Sequence, residues 1–263
     1  MAKRATKRLS KAEFEALDAA QDRIYEAADA RTATKRRSLA RQALALSPHC
    51  ADAHGMLAAA EKPDSDTALA HWQAGVAAGR AALGPDFDSY IGEFWGFLET
   101  RPYMRALFGL AWALWLRGER EEAIRQVQDM LVLNPNDNQG ARYILAAWLI
   151  EAGDDAALTV LLKAYKDDGM AAWSWSKALA GFRLRGNTAS SRTALGNARS
   201  SNAFVAEYLL GERSVPKARP MLLSPGQRDE ATHYMQQFGA GWRSTKGALE
   251  WLALEMSAPA KQK

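Results

Sequence analysis

Residues 104–153 read MRALFGLAWALWLRGEREEAIRQVQDMLVLNPNDNQGARYILAAWLIEAG, and their spacing repeats farther along the chain. Ala123, Ala157 and Ser191 stand 34 residues apart, as do Val127, Leu161 and Leu195, and Met130, Ala164 and Ala198. Four earlier columns keep the interval: Leu107/Ala141/Trp175, Leu110/Ile144/Ala178, Ala111/Leu145/Leu179 and Leu114/Trp148/Phe182. Members of a set lie three or four residues apart, which places them on one helix face. Gly118, Gly153 and Gly186 fall between the two sets, where a glycine ends one helix and lets the chain reverse.

A helix–turn–helix unit of 34 residues has the layout of the tetratricopeptide repeat. The expected fold is therefore all-α: a tetratricopeptide-like helical-repeat solenoid with an inserted segment and a non-repeat helical cap at the carboxyl end. Residues 104–203 form the regular units. Residues 39–84 form degenerate repeat helices, with Ala68, Trp72 and Gly75 taking the places of Ala123, Val127 and Met130. The distance from Ala68 to Ala123 is 55 and exposes an insertion at 85–103, PDFDSYIGEFWGFLETRPY, whose aromatic content predicts a packed segment. Residues 204–256 are the cap, since the ends of solenoids are atypical. Ser224 and Pro225 read there as the start of a helix, and residues 245–256 read as the last one. A tail, 257–263, completes the chain.

Composition agrees with a folded helical chain. Hydrophobic residues make up 48% and charged residues 24% of 263, ordinary globular values. The net charge of +4 is concentrated at the start, where residues 1–42 hold 11 Lys and Arg against 6 Asp and Glu. Residues 1–38 are accordingly expected to be a basic arm and helix. A single cysteine, Cys50, excludes an internal disulfide and suits a reducing, cytoplasmic location. The most apolar run, Ala106–Leu116, is too short to cross a bilayer, so no membrane association is expected.

The runs FWGFLETRPYMRALFGLAWALW, LNPNDNQGARY and YLLGERSVP resemble a group of bacterial tetratricopeptide-type proteins. AEYLLGER and EATHYMQQFGAGWRSTKGALEWL are also similar to the carboxyl half of the suppressor of tumorigenicity seven family. The resemblance implies the fold and supplies no biochemical activity. Chaperone-binding repeats grip a carboxylate with Lys and Asn at groove positions held here by Phe108, Trp112, Arg142 and Ala146, so that clamp is absent.

Catalytic chemistry finds no support. Histidines number four, and the only dense group is His49, Cys50 and His54, short of the ligands that zinc requires and placed where one repeat gives way to the next. No Gly-rich phosphate loop is present. Acidic pairs such as Asp154-Asp155 fall at helix starts, where they complement the dipole. No catalytic residue, metal or cofactor is expected.

The remaining expectation is a scaffold that binds a protein or peptide in the concave face lined by the first helix of each unit. Its candidate contacts are Arg105, Phe108, Trp112, Trp115, Asn138, Gln139 and Arg142. Two readings stand side by side: Trp112 and Trp115 line a groove, or they pack on the insertion. Asn138 and its neighbours either serve the turn and cap, which is favoured, or meet a partner. The second function is nucleic-acid binding by the basic start, MAKRATKR and TKRR, although no aromatic residue is interleaved there.

Overall fold

The computed structural model describes residues 7–257; the first six residues of the basic start and residues 258–263 of the expected tail lie outside the described residues. The described chain is all-helical and contains no strand. It forms two compact units, residues 1–142 and 143–263.

The helices of unit 1 are α1 (Lys11–Asp29), α2 (Ala33–Leu46), α3 (Ala51–Ala58), α4 (Asp66–Leu83), α5 (Arg101–Leu116) and α6 (Arg120–Leu133). They pair as successive hairpins, α1 with α2, α3 with α4 and α5 with α6. The first members also meet, α1 against α3 and α3 against α5.

Local chemistry sets the boundaries. Ser10 and Glu13 form a reciprocal capping box at the start of α1. Thr32 and Ser65 cap α2 and α4 through their hydroxyls. Gly118, at φ +84°, makes the left-handed turn between α5 and α6, which residues with a Cβ rarely adopt.

Packing between hairpins depends on missing side chains. The indole of Trp72 on α4 lies against Gly55 of α3, and a Cβ added to Gly109 of α5 would fall within that ring. A Cβ on Gly79 would come within 3.0 Å of Tyr103. A core of Ala20, Ile24, Ala40, Ala43, Cys50, Ala53 and Leu57 joins the first two hairpins.

The insertion, expected to pack, buries Phe87 and Phe94 while Ile91, Phe97 and Leu98 stay exposed. Two 3-10 turns, Gly84–Tyr90 and Phe94–Gly96, bring Phe87 edge-on to Phe94 and Tyr103, with ring centroids 4.7 and 5.0 Å apart. Thr100 donates its hydroxyl to the Phe97 and Phe94 carbonyls, and Gly92 N–H donates to Leu133 O at 2.9 Å. The segment is shorter than 85–103, because α5 begins at Arg101 with Pro102 in its first turn.

Helix α7 (Ala141–Ala152) begins at the end of unit 1, and unit 2 continues with α8 (Asp155–Ala164), α9 (Ala171–Arg185), α10 (Ala189–Ser201), α11 (Phe204–Leu209), α12 (Arg228–Ser244) and α13 (Ala248–Ser257). The repeat columns are buried where they form helix contacts: Ala123, Val127 and Met130 on α6, then Ser191, Leu195 and Ala198 on α10. On α8 the pattern slips. Leu158, Leu161 and Leu162 are buried, while Ala164 is exposed. Bulkier leucines take the inward face there and turn the expected alanine outward.

After α10 the packing turns on a polar knot. The buried carboxylate of Glu230 accepts from Ala171 N–H, Asn202 Nδ2 and Gly226 N–H, each at 2.8 Å. Asn202 O accepts the indole N–H of Trp175 at 3.1 Å. These bonds fasten the start of α9, the end of α10 and α12 to one another. Ser224 and Pro225 do not start the helix there. They lie in a turn closed by Gln227 N–H on Ser224 O, and Gly226 at φ +75° blocks helical continuation. Helix α12 starts at Arg228 instead.

Two substitutions test this packing. Gly109→Ala should lower stability by about 1–3 kcal/mol in urea unfolding, overriding alanine's better helix propensity. Combined with Trp72→Leu, the loss should be smaller than the sum of the two separate losses. Glu230→Gln keeps the shape but places an amide NH2 where one carboxylate oxygen accepts, setting donor against donor on that side, and should lower stability by about 1–3 kcal/mol.

Candidate functional site

A concavity of about 1530 Å³ in unit 1 follows α1. Helix α1 has 19 residues, which gives it a length of about 28 Å. Two faces of the helix have different duties. Ala20, Ile24 and Ala27 are buried in the core. Phe14, Leu17, Gln21 and Tyr25, spaced by three and four, line the groove on one side.

The floor is α3, which presents Ala51, Gly55, Met56 and Ala59. These side chains are mostly small, so the floor is recessed. The far wall comes from Pro102 and Arg105 of α5 and from Tyr90 and Leu98 of the insertion. The insertion thus forms a wall and leaves the groove unfilled. Phe14, Tyr25 and Leu98 are well exposed, at 56, 63 and 72%.

Charges are arranged at the rims and ends. Near the amino end of α1, Arg8 pairs with Asp86 at 2.6 Å. Near its carboxyl end, Arg37 donates to Ala60 O at 2.6 Å and Arg36 stands beside it. On the floor, Asp52 accepts both Nε and Nη2 of Arg105, at 2.8 and 2.6 Å, and also Gln21 Nε2 at 3.2 Å. Burial works against the Arg105 guanidinium, but the hydrogen bond and charge of Asp52 outweigh it and push its pKa above the ordinary value. The groove is lined by six Lys and Arg against four Asp and Glu.

Of the residues expected to bind a partner, only Arg105 lines this groove. Phe108, Trp112 and Trp115 are half-buried elsewhere on α5, with the Arg120 guanidinium 4.7 Å from the Trp115 ring. Arg142 is tied to Asp137, whose carboxylate takes Ala141 N–H at 2.7 Å, Arg142 N–H at 3.1 Å and Arg142 Nη1 at 2.8 Å. Asp137 itself adopts φ +48°, a left-handed turn that an aspartate tolerates. The polar run therefore serves as a cap for α7. Asn138 is exposed in that turn and Gln139 is half-buried beside it.

Sequence reasoning missed α1 as a groove wall, because residues 1–38 were read through their charge. The signal was available in Ser10 followed by Glu13, a helix start, and in Phe14, Leu17, Gln21 and Tyr25, one face.

The remaining titratable group lies between α3 and α4. Cys50 is fully buried at the start of α3, and burial pushes its thiol up to about 11. His54 and His71 stand with ring centroids 5.8 Å apart. Among the described residues, no three His, Cys, Asp or Glu side chains stand close enough together to hold a metal. No family model, curated protein or solved structure matches the chain.

Burial, and then the neighbouring His71, hold the His54 pKa below the ordinary histidine value. His233 shifts the same way, first through burial and then through Arg219. The unfolded chain therefore takes up protons first as the pH falls below the ordinary histidine value of about 6.5. Stability should be full above that pH and decline as it falls toward the lower folded values. Urea unfolding between pH 7.5 and 5.5, about one unit either side of it, checks this, and His54→Gln should flatten the profile.

Proposed function

We propose that this chain is an interaction scaffold of the tetratricopeptide type, whose unit 1 groove takes an amphipathic helix from a partner protein. The observation that carries this reading is the apolar channel running the length of α1 between charged rims. Helical partners dock in such channels through residues spaced by three, four and seven. The excess of cations favours a partner with carboxylates beside its apolar stripe. The successive hairpins, the 34-residue columns and the left-handed glycines support the repeat assignment. Cys50, buried as a thiol, fits a reducing, cytoplasmic setting. No catalytic group is assigned; within the groove Arg8 pairs with Asp86 and Arg105 with Asp52.

A second reading rests on α2. That helix carries Lys35, Arg36, Arg37 and Arg41 with no acidic residue, and Thr34, Ser38 and Gln42 share a shallow shelf with Arg37 and Arg41. Such a face would meet phosphates, with binding that weakens steeply in salt.

The test is a displayed library of helical peptides long enough to follow α1. Selected sequences should be amphipathic and acidic, and Phe14→Ala with Tyr25→Ala should weaken them by about tenfold or more, since each exposed aromatic is an anchor. Unchanged binding in that variant sinks the groove assignment. Salt-sensitive RNA binding lost in Lys35→Glu with Arg41→Glu would favour the second reading.

A further inference from the structure

Unit 2 carries an irregular segment, residues 210–227, between α11 and α12. Segments of this length without regular structure are uncommon in compact domains unless they serve a function. This one is fastened at its base. Gln236 of α12 donates Nε2 to Pro216 O at 2.9 Å and to Ala218 O at 3.1 Å. Ser224 N–H donates to Asp229 Oδ2 at 3.0 Å, and Arg228 bonds Glu207 at 2.8 Å while lying over the Phe204 ring.

Between those anchors the chain presents three consecutive apolar residues to solvent. Met221 and Leu222 are 99 and 79% exposed, the highest values among the large hydrophobic residues described, and Leu223 is 40% exposed. Lys217 and Arg219 precede them on the amino-terminal side, both exposed and without an ion pair among the described residues. From Arg213 to Gln227 there is no acidic residue. A fastened base thus holds out an apolar tip on a cationic collar.

We infer that the 210–227 loop is a peripheral membrane contact, inserting Met221, Leu222 and Leu223 into the interface of an anionic lipid surface while Lys217 and Arg219 meet its headgroups. Chemistry distinguishes this surface from a protein pocket. Protein hot spots favour Trp, Tyr and Arg and under-represent Leu, and the tip has no aromatic residue. Its apolar residues are exposed together, so a groove would cover one side and leave the rest wet, whereas a fluid interface takes them all. A second copy's groove is the wrong electrostatic match, since cations outnumber acids there and the collar is cationic. Shallow insertion with basic residues is how non-spanning proteins hold to charged bilayers. It needs no spanning segment, and no described helix is long and apolar enough to be one.

The test is flotation of the full-length protein with vesicles of phosphatidylcholine alone or mixed with phosphatidylglycerol, at low and high salt. Expected is binding to the mixed vesicles, weakened by salt. It should be reduced by about tenfold or more in Met221→Ser with Leu222→Ser, and similarly in Lys217→Glu with Arg219→Glu. All four residues are exposed, so both variants should keep the wild-type circular dichroism and melting temperature. No binding to either vesicle, equal binding to both, or binding unaffected by the serine pair overturns the inference. Loss of self-association or of a protein partner in the serine pair, without vesicle binding, would overturn it in favour of a protein pocket.

Discussion

Close approach between helices is the constraint on which the rest of the structure depends. Helix axes can come within the usual 8–10 Å only where the contacting side chains allow it. In this chain the allowance comes from residues with little or no side chain. Trp72 lies against Gly55 and Gly109, Tyr103 against Gly79, and Ile150 against Gly241, where an added Cβ would collide. The large residue of each pair fills the space that its small partner leaves. Such contacts fix the register between helices more sharply than a uniform leucine face could, because the bulge has one place to go.

The groove is a consequence of the same economy of side chains. Helix α3 is the shortest of the first five and presents alanine, glycine and methionine to the channel, while α1 and the insertion present larger residues. A floor of small residues between walls of large ones is a channel. The salt bridge between Arg105 and Asp52 crosses part of that floor. It satisfies a carboxylate whose side chain is 11% exposed, leaving the apolar positions on either side to make contact.

The helical character was legible from Met104 onward because apolar and small residues recur at helical spacing, and burial follows those positions on α6 and α10. Where composition changed within a column, legibility fell. On α8 two leucines next to the expected positions took the inward face, and periodicity alone could not choose between neighbours. The helix start expected at Ser224 failed for a backbone reason, since Gly226 adopts a left-handed turn that cap chemistry does not reveal. The groove was the least legible feature. Its walls and floor come from a capped helix, a short helix and an insertion with no common sequence pattern. Of the seven residues expected to bind, Arg105 alone was placed in the groove by helix register.

The two units also differ in what holds their ends. In unit 1 the last turn is set by Asp137, and in unit 2 apolar helix packing gives way to Glu230, Asn202 and the Trp175 indole. A buried carboxylate that accepts three hydrogen bonds is costly to misplace. It therefore selects one arrangement of α9, α10 and α12 where leucine columns no longer do so. That rigidity has a consequence for the 210–227 loop, whose last residues are held by Asp229 and Glu230. Ser224 and Gly226 are thereby held to α12, so the exposed residues 221–223 stand directly beside a fastened stretch of chain.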